Sequence, residues 1–422
     1  MESFTLTRTA NSYLQNKINK SIIFNFLRMN GKCYRAKIAR SLHLSIPAVS
    51  RAIEYLKHEG FIIETEKIRT ANGKLTSQYR INAHQGFVIG VDLGKERLKF
   101  AVTDFSGKVI YKYNGIKINE SDNIEDSIIK SIKNIINIIY KNNLLDKNTC
   151  HLKAICIAIP ASINPSIKKI LDSSTFKKWI NLNIGGILSQ RFKVPIYIEN
   201  DVNLSALGEK NLGCGKEYTD IVFIEISYGI GAGIIIDNHL IRGAHGYAGE
   251  IGCAITDVDS LKFTVTDRGC LESHASFQSI KEIAIENIQR GDSTMISDLI
   301  HNEIDKIDSY VVCDAAIRED KFASSIIKQI VNILSIMIIY FILILDPQVI
   351  LIGGDICNLP MVNKLFINPI IDNVKNSIPF KIPKIRLSSL GEDAGIIGAS
   401  FFAIESLLVG DFPFQFDHAL YG

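Results

Sequence analysis

Phe87-Val88-Ile89-Gly90-Val91-Asp92-Leu93-Gly94 is the stretch on which the fold turns. Its apolar run, closed by an acidic residue and a glycine, reads as a strand that ends in a tight turn. Two more strand-like runs follow at once, LKFAVTD from Leu98 and KVIYKYN from Lys108, joined by turns such as Ser106-Gly107. A long helix is expected over 123–143, with Ile128, Ile132, Ile135 and Ile139 on one side, and further strands over 151–159 and 194–198. A second set begins near Asp220, with strands IVFIEIS and AGIIID, a helix over 324–345 and a strand over 349–352 before Gly353-Gly354. Hairpin strands followed by alternating helices and strands indicate an α/β body.

Upstream of Phe87 the texture differs. Of the 422 residues, the first 86 carry 14 Lys and Arg against 5 Glu and no Asp, a charge of +9. The remainder carries −6, so the net +3 averages two unlike parts. Residues 17–30 place Ile18, Ile22, Phe26 and Met29 at helical spacing, and Gly31 ends that helix. A short helix over 35–42 and a turn at His43-Leu44-Ser45 precede a third helix. Ser45 can cap that helix, and Pro47 falls in its first turn, where a missing N–H does no harm. Val49, Ile53 and Leu56 give it one apolar stripe, and Gly60 ends it. Phe61-Ile62-Ile63-Glu64 and Ser77-Gln78-Tyr79-Arg80-Ile81 then read as strands around a polar loop with Lys67, Arg69, Asn72-Gly73 and Lys74. That order is a winged helix-turn-helix, whose second helix enters the major groove. With its stripe inward, Ser45, Pro47, Ala48, Ser50 and Arg51 face outward, and Arg51 has the reach for guanine O6 and N7. Arg35, Lys37, Lys57, Lys67, Arg69 and Lys74 suit phosphates, which position without specifying.

Three features of the body carry chemistry. Asp92-Leu93-Gly94 can face a phosphate or a metal-bound phosphate, or simply turn the chain. Ser227-Tyr228-Gly229-Ile230-Gly231-Ala232-Gly233 lies between two strands. Its three alternating glycines admit close approach of a ligand or make a tight hairpin. In Glu199-Asn200-Asp201, the amide and carboxylate can hold and deprotonate a sugar hydroxyl, or Asp201 or Asn203 can cap a helix.

The run Arg242-Gly243-Ala244-His245-Gly246-Tyr247-Ala248-Gly249-Glu250-Ile251-Gly252-Cys253 and the later Gly269-Cys270-Leu271-Glu272 complete an ordered set with these loops. With Gly353-Gly354 and Gly391-Glu392-Asp393-Ala394-Gly395, the set resembles the ROK family of bacterial sugar kinases, open reading frames and repressors over essentially the whole chain. The N-terminal head is similar to that of the family's sugar-responsive, xylose-repressor-like regulators. The resemblance implies an actin/hexokinase-like body with two lobes, sugar near Thr175, Asn200, Asp201, Glu250 and Glu272, and nucleotide phosphates against the loops holding Asp92, Gly94, Gly229, Gly231 and Gly233. In the family's kinases, the residue matching Asp201 is the general base.

The chain departs from the kinase pattern. Lys95 and Glu96 stand where the first loop carries Gly and Thr, and Tyr228 replaces Thr in the second. Phosphoryl transfer rests on positioning and charge neutralisation, so ATP with Mg²⁺ is not expected to bind. The family's zinc positions correspond to Cys253, Phe263, Val265 and Cys270. Two thiolates have become apolar, so no metal is expected.

Eight cysteines without a CxxC pair argue against a disulfide framework and for a cytoplasmic setting. The start Met1-Glu2-Ser3-Phe4 has no leader pattern. The apolar run over 330–345 is 16 residues long, short of the ~20 a membrane span needs, and reads as a core helix. The expected organisation is a winged helix-turn-helix over 1–85 and a sugar-sensing body over 86–422, with lobes 86–198 plus 393–410 and 199–392. The expected function is a sugar-responsive regulator, most simply a repressor. It would bind a double-stranded DNA operator and a sugar or sugar-phosphate effector as a homo-oligomer, dimer or tetramer. The alternative is a sugar kinase with Asp201 as base.

Overall fold

The head forms because three helices share one small core. The computed structural model describes residues 12–69, 73, 75–94, 97–117, 123–164, 169–172, 184–256, 270–291 and 293–409. Helix α1 (Ser12–Asn30) ends at Gly31, whose φ of +69° lets its N–H reach the Leu27 carbonyl at 2.8 Å. Strand β1 (Cys33–Tyr34) and helix α2 (Arg35–Ser41) lead through His43 to α3 (Ile46–His58). Ser45 Oγ accepts from the Ala48 N–H at 3.3 Å, so this helix starts where its cap predicts. Val49, Ala52, Ile53 and Leu56 are buried with Ile38, Tyr79 and one face of α1.

That face of α1 is not the expected one. Ile18, Ile22 and Met29 are exposed, and Ile23, Phe24 and Leu27 fill the core instead. The helix carries two apolar stripes, and the core takes the one with Ile23, Phe24 and Leu27. The wing also differs. Strands β2 (Ile62–Arg69) and β3 (Leu75–Ile81) pair from Ile62↔Ile81 to Arg69↔Leu75, so Lys67 and Arg69 lie on a strand and not in the loop.

The chain then divides into two units, residues 1–157, 183–198 and 399–422 in one, 158–182 and 199–398 in the other. In the first, β4 (Phe87–Leu93), β5 (Arg97–Asp104) and β6 (Val109–Lys117) form the expected hairpins. With β7 (Leu152–Ile159) and β10 (Ile196–Asn200) they make a five-stranded sheet in the order β10-β7-β4-β5-β6. Helix α4 (Ile124–Lys141) buries Ile128, Ile132, Ile135 and Ile139 as its spacing requires. Helix α5 (Ile184–Phe192) precedes β10. The head belongs to this unit. Phe61 of the head stacks 6.3 Å from Phe24 and 5.3 Å from Phe105, and Gln85 Nε2 donates to the Glu59 carbonyl at 2.7 Å.

The second unit differs from the expected lobe. Residues 158–182, expected in the first lobe, fall here, because β8 (Ser162–Asn164) and β9 (Lys169–Asp172) form a hairpin apart from the large sheet. The hairpin lies against the glycine motif, where a Cβ on Gly246 would sit 1.9 Å from the Ile163 carbonyl oxygen. Helix α6 (Asp201–Asn211) leads to β11 (Ile221–Ile226), β12 (Ile230–Ile236) and β13 (His239–Ile241). Helices α7 (Cys270–Ala275), α8 (Phe277–Gln289), α9 (Met295–Leu299), α10 (Ser309–Ile317) and α11 (Lys321–Leu345) follow. Strand β14 (Val349–Gly353), helix α12 (Asn368–Ser377) and strand β15 (Lys384–Leu387) complete a sheet in the order β13-β12-β11-β14-β15.

Helix α11 is long and apolar enough to cross a membrane by composition. It packs one face, including Ile327, Leu334 and Ile338, into this unit's core. Near its C-terminal end, Ile336, Tyr340, Leu343 and Ile344 are exposed, so the expected core helix is buried on one side only. The last helix, α13 (Ala394–Val409), is shared, with the division falling between Gly398 and Ala399.

Candidate DNA-binding face and ligand site

On the head, α3 presents Ser45, Pro47 and Arg51 to solvent, with Ala48 and Ser50 half-buried beside them. The apolar side is wholly covered, so this N-terminal half is what a major groove would meet. Lys37, Lys67 and Arg69 are exposed cations. Two of the expected phosphate contacts have partners inside the head. Arg35 pairs with Glu54 and lies 5.2 Å from the Tyr79 ring, and Lys57 Nζ pairs with Glu64 at 2.6 Å. The Glu64 hydrogen bond holds the Lys57 ammonium above its usual pKa. These two brace α3 against α2 and the wing as much as they offer charge. Lys74 lies outside the described residues.

The ligand candidates in the second unit are built around the start of α6. Asn200 ends β10 and is the helix cap, its Oδ1 accepting from the Asn203 N–H at 2.9 Å. The expected cappers, Asp201 and Asn203, are not. Asn200 Nδ2 donates to the Ala161 carbonyl at 3.3 Å, and Asp201 Oδ1 accepts from the Val202 N–H at 2.9 Å. The amide is thus fixed on both sides, and the carboxylate stands in the first turn, where the helix dipole favours negative charge.

An ion pair that sequence reasoning missed, between a buried Glu199 and a half-buried Arg242, supports them. Arg242 Nε donates to Glu199 Oε2 at 2.6 Å. Glu199 Oε1 in turn accepts from the Asn200 N–H at 3.0 Å and from Asn203 Nδ2 at 3.2 Å. Arg242 opens the glycine motif, so the pair ties that motif to the Asn200-Asp201 corner. Its signal was the one cation beside the glycines. Ser162 was also missed, and it donates to Glu250 Oε1 at 2.7 Å.

Glu272 on α7 accepts from the Ile230 N–H at 3.1 Å. A Cβ on Gly229 or Gly252 would lie 3.1 Å from its Oε2, so the second glycine loop, the Gly-Glu-Ile-Gly run and Glu272 converge. Gly249, with φ +92°, passes so close to β12 that a Cβ would meet the Ala232 carbonyl oxygen at 1.9 Å. The structure therefore draws Asn200, Asp201, Glu250 and Glu272 into one unit, each carboxylate or amide already fixed by a neighbour. Such a set can accept hydrogen bonds from a polyhydroxyl ligand without reorganising. Thr175 lies outside the described residues.

The phosphate-loop expectation fares differently at each glycine. Gly231 and Gly233 are within β12, not in a loop. A Cβ on Gly231 would lie 3.0 Å from Val202 Cγ2, and one on Gly233 2.6 Å from Ala206 Cβ. Their smallness lets α6 pack on the strand, which corrects their reading as phosphate ligands. Gly229 alone turns the hairpin, beside a Tyr228 whose ring is 6.5 Å from Phe277. In the first unit, Asp92 lies on β4 with Gly94 just beyond it. Burial pushes the Asp92 carboxyl up to about 6, with Lys99 opposing. Lys95, Glu96, Phe263 and Val265 lie outside the described residues. Cys253 is exposed and Cys270 half-buried, and His274 Nδ1 lies 2.7 Å from the Cys270 carbonyl oxygen. Among the described residues no three His, Cys, Asp or Glu side chains group as a metal set.

Comparison with known proteins places this geometry. A model of the ROK family matches residues 88–406. The chain is 27% identical over 408 residues to the xylose repressor of Caldicellulosiruptor bescii, covering 94% of this chain and 98% of that protein. It is 28% identical over 316 residues to the glucokinase of Thermotoga maritima, covering 74% of this chain and 96% of the enzyme. In structure it is similar to a ROK family transcriptional regulator, a homologue of the E. coli MLC protein. That likeness has a TM-score of 0.75 over 93% of this chain and 96% of that one, at 23% identity.

Proposed function

Because the chain belongs to the ROK family, we propose that it is a sugar-responsive transcriptional repressor. Its α3 reads an operator, and its body takes up a monosaccharide or sugar phosphate at Asn200, Asp201, Glu250 and Glu272. The observation that carries this reading is coverage. The xylose repressor matches 94% of the chain, a share that the body alone cannot supply, so the likeness extends through the DNA-reading head.

The residues then take roles that follow from their chemistry. Arg51 reads base edges, and Lys37, Lys67 and Arg69 neutralise phosphates. Asn200, fixed as both cap and donor, offers its amide to a sugar hydroxyl, and the three carboxylates accept from others. Glu199 and Arg242 hold the Asn200 backbone in place without themselves being needed for contact. Sugar and DNA bind with reciprocal negative coupling, so sugar weakens operator affinity by the factor by which operator weakens sugar affinity. The protein works in the cytoplasm as a homo-oligomer that pairs two heads on two half-sites. It needs no metal or nucleotide. Asp201 serves as a hydrogen-bond acceptor and not as a base, since Lys95, Glu96 and Tyr228 replace the Gly and two Thr of the kinases' phosphate loops.

The test is operator affinity with and without D-xylose, D-glucose and N-acetylglucosamine, on a duplex selected from a random-sequence pool by the protein itself. One sugar is expected to weaken binding at least tenfold, and Asp201→Asn to abolish that response while leaving sugar-free DNA binding intact. No response to any sugar or its phosphate would overturn the sensor. ATP turnover that Asp201→Asn abolishes would establish a kinase instead.

A further inference from the structure

One helix packs against the elements that carry the ligand corner and against the DNA-reading head. At its start, α13 lies backbone against backbone with α6. A Cβ on Gly398 would meet the Leu204 carbonyl oxygen at 1.7 Å and the Gly208 nitrogen at 2.9 Å, and one on Gly208 would meet the Ala394 carbonyl oxygen at 2.2 Å. No side chain lies between the helices to absorb a shift. The segment leading into α13 is bound to α6 as well. The wholly buried Glu209 accepts from Ser388 Oγ at 2.6 Å, the Ser389 N–H at 2.9 Å and the Leu390 N–H at 2.7 Å. Burial alone would raise the Glu209 carboxyl, but these bonds outweigh it and hold it below its usual range, so it stays ionised and grips. Further along, Phe402 of α13 stacks edge-on 6.2 Å from Tyr197 on β10. Strand β10 and helix α6 meet at Asn200-Asp201, so α13 is packed against both elements that carry the pair.

The other half of α13 holds the head. The Arg28 guanidinium of α1 lies 4.3 Å from the centre of the Phe401 ring, one turn from Glu405. Glu405 accepts from Ser21 Oγ at 2.8 Å and supplies the negative charge that opposes the burial of Arg28. The β5–β6 turn leaves room for this clasp through Gly107, where a Cβ would come within 2.8 Å of the Phe401 ring. Cation–π contact and a charged hydrogen-bond acceptor together fix the orientation of α1, and α1 shares its core with α3.

We propose that α13 transmits occupancy of the Asn200-Asp201 corner to the head, and that Arg28, Phe401 and Glu405 are the positioning residues that receive it. A rigid helix in direct backbone contact with α6 moves when α6 moves. A clasp built from one cation, one ring and one carboxylate passes that movement to α1 without a flexible linker. The inference rests on the repressor reading and adds the route by which that repressor is released.

The experiment compares operator affinity with and without the responding sugar for the full-length protein, Arg28→Met, Arg28→Lys, Phe401→Leu and Glu405→Gln. Sugar affinity is measured by calorimetry in the absence of DNA. The wild type is expected to show at least a tenfold sugar effect. Arg28→Met and Phe401→Leu should bind sugar within twofold of wild type, yet show a sugar effect below twofold. Glu405→Gln should retain at most half of the wild-type effect, and Arg28→Lys should recover at least half of it. A residue with only a structural role would lower the melting temperature and leave the ratio of the two DNA affinities alone. Full response in Arg28→Met and Glu405→Gln overturns the proposal. If Arg28→Met does not fold, Glu405→Gln decides alone, since Glu405 is exposed. A wild type that binds DNA but ignores every sugar overturns the repressor reading itself, a result distinct from a responsive wild type with equally responsive variants.

Discussion

Asp92 shows how the fold can shift the titration of a single carboxyl. Burial pushes its carboxyl up to about 6, and Lys99 across the strand pair only partly opposes this. Because the folded carboxyl binds its proton more tightly than the unfolded one, the fold is favoured at low pH. It loses that advantage as pH rises through the folded value. Asp92→Asn removes the titration. It is expected to raise the melting temperature at pH 7.5 and to leave it unchanged near pH 4, which a calorimetric scan at both values checks. An equal shift at both would show that charge is not the cause. At this scale the sequence was partly legible. Asn200 and Asp201 draw notice as polar residues at a strand end, whereas Glu250 and Glu272 enter only through the resemblance to the family. The Glu199–Arg242 pair did not stand out, because its members are 43 positions apart and only the fold makes them neighbours.

At the scale of elements, α3 and α1 make an instructive pair. Helix α3 announces itself through a serine cap, a first-turn proline and a single apolar stripe, and Ser45→Ala should cost about 1 kcal/mol of stability. Helix α1 carries two stripes, and periodicity cannot choose between them. The choice is made by what α3 and the wing present. The same holds for β12, where Gly231 and Gly233 look like a phosphate loop until α6 is laid against them. The head's two kinds of cation should separate in solution. Arg51→Ala is expected to cost about 1–3 kcal/mol on the selected operator and to relax preference at one base position. Arg69→Ala should weaken all duplexes alike and lower the salt slope by about one. Anisotropy titrations at several salt concentrations distinguish them, and identical behaviour of the two variants would remove Arg51 from the base-reading role.

For the whole molecule, charge and length now have separate meanings. The +9 head and the −6 body are one protein with two electrostatic tasks. Operator affinity should therefore fall with log salt at about 0.9 per neutralised phosphate, while sugar affinity should scarcely respond. A sugar at 100 times its Kd should stabilise the fold by about 2.7 kcal/mol, visible as a raised melting temperature. Charge and texture set the first 86 residues apart from the rest, yet residues 1–157 fall within one unit. The placement of 158–182 with the second unit was not legible in the sequence, because it depends on a small hairpin leaning on the glycine motif.

The joint between head and body has a consequence for anyone who would recombine such regulators. The last strand of the head ends at Ile81 and the first strand of the body begins at Phe87. Phe61 meets Phe105 across that boundary, and Arg28 is clasped by α13. A reading head cut at residue 85 and grafted onto a relative's body would leave both sockets behind. Retargeting this protein to a new operator is better done by rewriting the outer face of α3 than by exchanging the domain. Lineages that swapped whole heads would have had to carry Phe105, Phe401 and Glu405 along with them.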